Sequence, residues 1–219
     1  MAAVSLAAAA GPVASLVAGR PAGALAPTAA GYWVKAGAPV PTVPKGGLLV
    51  AADATTATSP GSPVGGQLPV AVPSPTVPGV PGPDVTGPAA VSAVRITGVS
   101  QTQDATLTLQ VAAGSVPPPP SLTTIVACPL TQGLQGQPPQ GGDISHAPGY
   151  DCSASSTGRV AGDQASISWL LPHSFQSTAG ELDVALVPNP AGQPVPFSVA
   201  FSAPGSASVQ ASSGAPSPL

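Results

Sequence analysis

Apolar side chains recur at every second residue in eight short runs of this chain, and the i, i+3, i+4 spacing of a helix is almost absent. The runs cover 32–36, 48–52, 91–99, 105–112, 123–128, 166–171, 181–187 and 197–201. In the fourth, Leu107, Leu109 and Val111 alternate with Thr106, Thr108 and Gln110. Ile167, Trp169 and Leu171 share a face, as do Leu182, Val184 and Leu186, and Phe197, Val199 and Phe201. Successive side chains of a strand point to opposite faces, so this period places one apolar row inward and one Ser/Thr/Ala row outward. That is the pattern of an antiparallel sheet with one wet face. Nearly every gap holds Pro or Gly, of which the chain has 31 and 26. The pattern predicts an all-β antiparallel β-sandwich, jelly-roll-like.

Composition narrows the function classes. Charged residues make up 6% of the chain, against roughly 25% in ordinary proteins. Helices laced with ion pairs are therefore not available. A mean hydropathy of +0.33 separates the chain from polar disordered sequences. No Gly-X-Y period runs through it, which excludes collagen. The five Lys and Arg are scattered and the net charge is −3. Phosphate backbones and anionic lipid surfaces are held by clustered cations, so neither nucleic acid nor a membrane surface is an expected partner. Past the N-terminal segment, no stretch approaches the ~20 apolar residues of a spanning helix, and no membrane insertion of the mature domain is expected.

The organisation read from the chain has three parts. Residues 1–26 are apolar and small and end in Ala24-Leu25-Ala26, the pattern of a secretory leader and its cleavage site. Residues 31–203 are the sandwich, with a Pro/Gly-rich insertion at 54–88 and a second stiff spacer at prolines 117–120. Residues 204–219 read as a flexible tail. The expected location is secreted or at the cell surface. In that setting Cys128 and Cys152, the two cysteines of the chain, form a disulfide.

Catalysis is poorly provided for. The two histidines, His146 and His173, sit in loops outside any nucleophile motif. The eight acids are sparse, and a hydrolase needs two facing carboxyl groups. No cofactor is expected; calcium is the one candidate ion, with Asp143, Asp151 and Asp163 as its oxygen donors. A sugar platform needs an aromatic face with polar neighbours. Trp169 shares its row with Ile167 and Leu171 and belongs to the core. One of Tyr32 and Trp33 should face outward. Tyr150 stands beside Cys152 in a polar loop. The candidate ligand-binding residues are therefore Tyr150, Asp143, Asp151 and Trp33.

Several segments, in order, resemble the DNRLRE-type, carbohydrate-binding-module-like jelly rolls of bacterial surface proteins. Tyr32-Trp33-Val34-Lys35-Ala36-Gly37 followed by Gly47-Leu48-Leu49-Val50 looks like their first hairpin. Val91 to Ile96, Ala105 to Val111, Ile167-Ser168-Trp169, Glu181 to Leu186 and Phe197 to Ser202 look like the later strands. The chain lacks that family's name-giving motif, and the loop between Cys128 and Cys152 replaces a Trp-containing segment. The resemblance implies a jelly roll with polysaccharide or cell-wall contact and assigns no binding residue. The function expected is a non-catalytic binding module; the alternatives are a structural envelope domain and, behind it, a secreted hydrolase. An outward aromatic strip would favour binding, and a flat Ser/Thr face would favour structure.

Overall fold

The computed structural model describes residues 25–38, 40–52, 88–116, 125–178, 180–189 and 197–212. The leader up to residue 24, the insertion from 54 to 87 and prolines 117–120 lie outside the described residues. Each of the eight alternating runs contributes a strand, and five further strands join them among the described residues. In chain order they are β1 (Ala26–Val34), β2 (Leu48–Ala52), β3 (Pro88–Thr97), β4 (Asp104–Gln110), β5 (Ile125–Pro129), β6 (Gln140–Asp143), β7 (Ser156–Thr157), β8 (Arg159–Val160), β9 (Ser166–Leu171), β10 (Gln176–Thr178), β11 (Glu181–Pro188), β12 (Phe197–Phe201) and β13 (Val209–Ser212). The helical pieces among the described residues are three single 3-10 turns. The fold is an all-β sandwich.

The smaller sheet runs β13-β4-β9-β8. Leu107 lies opposite Trp169 and Leu109 opposite Ile167, and all four side chains are buried. The other face carries Thr106, Thr108, Ser166 and Ser168, with the Thr108 and Ser168 hydroxyls 2.9 Å apart. Cross-strand hydroxyl pairs of this kind are modestly stabilising. This sheet has the one wet face that its alternation requires.

The larger sheet is organised around β3. β1 follows one edge of β3 from Ala26 opposite Thr97 to Val34 opposite Ala90. The other edge is shared, by β11 over 92–97 and by β2 over 88–90. Where β2 departs, the buried Ser92 hydroxyl fills the gap in the ladder. It accepts from the Leu49 N–H at 2.9 Å and donates to the Leu49 carbonyl at 2.7 Å. A buried backbone pair left without these bonds would cost about 1–3 kcal/mol per group. β11 continues the sheet to β5 and β7, and β12 pairs with β2. The two sheets join where Val111 bridges Phe201 and the Ser202 N–H donates to the Gln110 carbonyl.

Between the sheets lies the main core, with Leu48, Val94, Ile96, Leu107, Leu182 and Val199 among its fully buried members. Trp169 is its largest side chain. Its ring meets that of Phe201 edge-on at 6.1 Å, and its indole N–H donates to the Ile125 carbonyl at 3.3 Å. Gly158 makes room for the indole. A Cβ there would lie 2.7 Å from Trp169 Nε1 and 2.9 Å from the Ile125 carbonyl oxygen.

Four expectations are corrected. The larger sheet has no bare outer face, because its second row is also apolar. Val91, Ala93, Val126, Cys128, Ala185 and Val187 form a second core, and Leu49, Ala51, Ala90 and Ala200 a third. Apolar rows on both faces require cover on both. The loop between Cys128 and Cys152 covers the second core, while Tyr32, Ala38 and Val43 pack on the third. Tyr32 and Trp33 are consequently both covered, and neither is an outward platform. The segment from 204 onward is not all tail: Val209–Ser212 pairs with β4, and Val209 is buried in the main core. Finally, Leu25 is buried in that core and β1 already begins at Ala26. The expected leader boundary at 26 therefore falls inside the packed fold.

Candidate functional site

The loop from 130 to 151 has few residues that could bury themselves, so its position depends on ties to the sheet. The first is covalent: Cys128 at the end of β5 is joined to Cys152, with an Sγ–Sγ distance of 2.04 Å. Three backbone bonds flank it. The Leu130 N–H donates to the Asp183 carbonyl at 3.0 Å, the Thr131 N–H to the Gly149 carbonyl at 2.9 Å, and the Asp151 N–H to the Pro129 carbonyl at 3.0 Å. Farther along, β6 pairs parallel to β1, and the Tyr32 N–H donates to the Pro139 carbonyl at 3.0 Å. Gly31 permits this approach, since a Cβ there would collide with Pro138 and the Pro139 carbonyl.

The remaining tie is an ion pair beneath the loop. Arg95 on β3 and Asp183 on β11 are register partners on the outer face. Arg95 Nε donates to Asp183 Oδ1 at 2.8 Å and Nη2 to Oδ2 at 3.0 Å. Such a two-pronged pair fixes geometry as well as charge. Both partners then grip Leu134: Arg95 Nη2 donates to its carbonyl at 2.6 Å, and its N–H donates to Asp183 Oδ2 at 3.2 Å. The Asp183 side chain is fully buried, and Glu181 lies 3.7 Å from Arg95 Nε. The hydrogen bond to Asp183 pushes the Arg95 pKa up in spite of burial. A buried carboxylate beside an arginine thus acts as a clip on the loop backbone.

Held this way, the loop encloses a groove of ≈ 400 Å³, within the ordinary size range of small-ligand sites. Trp33 is its floor, 5% exposed. One wall is the 132–139 segment, presenting Gln132, Gln135, Gln137 and Pro139; the other is His146, Pro148 and Gly149. Gly142 lets the wall close on the floor, since a Cβ there would lie 2.7 Å from Pro139 Cγ and 2.8 Å from Trp33 Cδ1. The three glutamine side chains are exposed. Each carries two donors and an acceptor, beside an indole and several proline rings. That is a surface suited to a ligand with both apolar faces and hydroxyl or amide groups.

Of the residues expected from sequence, Trp33 lines this groove and Tyr150, Asp143 and Asp151 do not. Tyr150 is half-buried against the second core, which pushes its phenol pKa up. The Asp143 carboxylate accepts from the Ser145 hydroxyl at 2.7 Å and its N–H at 2.8 Å. Asp151 accepts from the Ser153 N–H at 2.9 Å and Asp163 from the Ala165 N–H at 3.0 Å. These bonds hold the Asp143 and Asp151 carboxyls below the usual carboxylate range. Each of the three acids closes its own turn. Among the described residues no three His, Cys, Asp or Glu gather into a cluster that could hold a metal. Sequence reasoning missed Gln132, Gln135, Gln137 and His146 as wall residues. The one available signal was a Gly/Pro-rich, Gln-rich stretch closed by two cysteines.

His173 lies elsewhere, with Nδ1 2.9 Å from Asp104 Oδ1 and its backbone N–H on the same oxygen at 2.9 Å. The His173 side chain holds the Asp104 carboxyl below its ordinary value. No helix of the described residues is long and apolar enough to cross a membrane. No family model matches the chain, and neither a curated protein nor a solved structure matches it.

Proposed function

We propose that the chain is an exported, non-catalytic binding module of the cell envelope whose ligand site is the groove beneath the disulfide-closed loop. The observation that carries this reading is the groove itself: proline rings and three exposed carboxamides over a nearly buried indole, around ≈ 400 Å³. Polysaccharide or a cell-wall component is the ligand class such a lining suits, because sugar rings present apolar faces edged by hydroxyls. Export fits the disulfide, which persists in oxidising compartments.

The test is a pulldown of the full chain on isolated cell-wall polysaccharides, run beside the Gln132→Ala/Gln137→Ala variant. Both side chains are exposed, so the variant keeps its fold. Two lost hydrogen bonds at about 1 kcal/mol each predict roughly thirtyfold weaker retention. Retention by no polysaccharide would refute the reading.

A structural envelope domain is the second reading. The outer face of the smaller sheet favours it, since Thr106, Thr108, Ser166 and Ser168 lie there beside the exposed Leu170 and with no aromatic ring among them. It predicts a normally assembled envelope with the groove variant and a defective one without the chain.

A further inference from the structure

We infer that the ligand of this groove is electrically neutral, an unsubstituted or N-acylated sugar chain rather than a uronic, sulfated or phosphorylated one. The inference rests on the groove being the ligand site. Among the described residues that line it, none is Asp, Glu, Lys or Arg. The charged groups Arg95, Asp183, Asp143 and Asp151 lie outside that lining. Arg95 and Asp183 are locked to each other and to the Leu134 backbone under the wall. Asp143 and Asp151 are turned to their own Ser145 and Ser153. An anionic group entering the groove would shed water and find no Lys or Arg, with the His146 ring as the one lining side chain able to take up a proton, and an ammonium group would meet no carboxylate. Desolvating a charge without a partner is strongly unfavourable. Carboxamides supply what a neutral sugar needs instead, paired donors and acceptors without net charge.

The test is isothermal titration of the full chain with three probes. They are a neutral glucan oligosaccharide, a neutral N-acetylglucosamine oligosaccharide and an oligo-uronate, each at about 20 mM and about 0.5 M NaCl. Between those conditions the Debye length shrinks to a few ångströms and exposed ion pairs are screened. The expected result is binding of a neutral probe with a Kd that changes less than about twofold with salt. The same binding should weaken at least about tenfold in Gln132→Ala/Gln137→Ala. Preferential binding of the oligo-uronate, weakening with salt, would overturn the inference and leave the groove as a sugar site. Neutral binding untouched by the glutamine variant would overturn it as well, since the ligand would then sit elsewhere. Binding of no sugar would overturn both the inference and the reading beneath it.

Discussion

Replacing Asp183 with Asn tests how the loop is held. The substitution keeps the shape and removes the charge from a side chain with no exposure. That carboxylate accepts from Arg95 Nε, Arg95 Nη2 and the Leu134 N–H. A carboxamide offers one oxygen and turns an NH2 toward donors, so at least one of these bonds becomes a clash of donors. Breaking a buried pair by deleting one partner costs 3–5 kcal/mol. The lower end applies here, about 3 kcal/mol, because the Arg95 side chain is 22% exposed and has Glu181 at 3.7 Å. For a domain of this size that is a fall of about 6–12 °C in Tm. The assay is urea unfolding with the disulfide intact, read as a lower midpoint at unchanged slope. The companion variant Arg95→Met/Asp183→Leu should be more stable than Asp183→Asn, since it buries no orphaned charge. A loss under about 0.5 kcal/mol for Asp183→Asn, or a double variant less stable than the single, would refute the reasoning.

Three further outcomes follow from the same geometry. Cys128→Ala/Cys152→Ala opens a loop of 24 residue separation and should cost about 3 kcal/mol by chain entropy, measured by chemical denaturation against the oxidised wild type. Gly158→Ala forces a methyl against Trp169, Ile125 and Ile167 and should lower stability by about 1–3 kcal/mol, with a change in Trp169 fluorescence reporting the displaced ring. Asp104 has a folded-state pKa depressed below 3.8 by His173. Its contribution is therefore present above that value and is lost as pH falls through the lower folded-state pKa. A Tm series from about pH 6 to about pH 2 should show Asp104→Asn less stable at the top and level with the wild type at the bottom; parallel curves would contradict the sign.

Strand existence was legible because alternation is a local signal. Leu107, Leu109, Ile167 and Trp169 occupy the buried row that their spacing assigns. The disulfide was legible from export logic and parity of count, and Cys128 and Cys152 are joined. What local pattern could not carry was the second apolar row. Alternation alone leaves Val91 and Ala93, or Ala185 and Val187, on the row expected to be an outward Ser/Thr/Ala one, and the loop that covers them comes from far along the chain. Expecting one of Tyr32 and Trp33 to face outward failed for the same reason, since Gly142 and Pro139, over a hundred positions along the chain, close on Trp33. The strand at Val209–Ser212 was hidden by a composition shared with linkers; it forms because β4 has a free edge. Asp143 and Asp151 looked like ligand groups because isolated acids in a polar loop do so, whereas each takes up the N–H two residues ahead.

Amide hydrogen exchange across 130–149 in the oxidised full chain bears most directly on the covered sheet and the groove it forms. The amides of Leu130, Thr131 and Leu134 are bonded to the Asp183 carbonyl, the Gly149 carbonyl and the Asp183 carboxylate. They should exchange slowly, and Leu134 should lose its protection in Asp183→Asn while the β4–β9 amides keep theirs. Exchange of all three at unprotected rates in the wild type would mean that the loop does not sit on the sheet, and the groove with it would be gone.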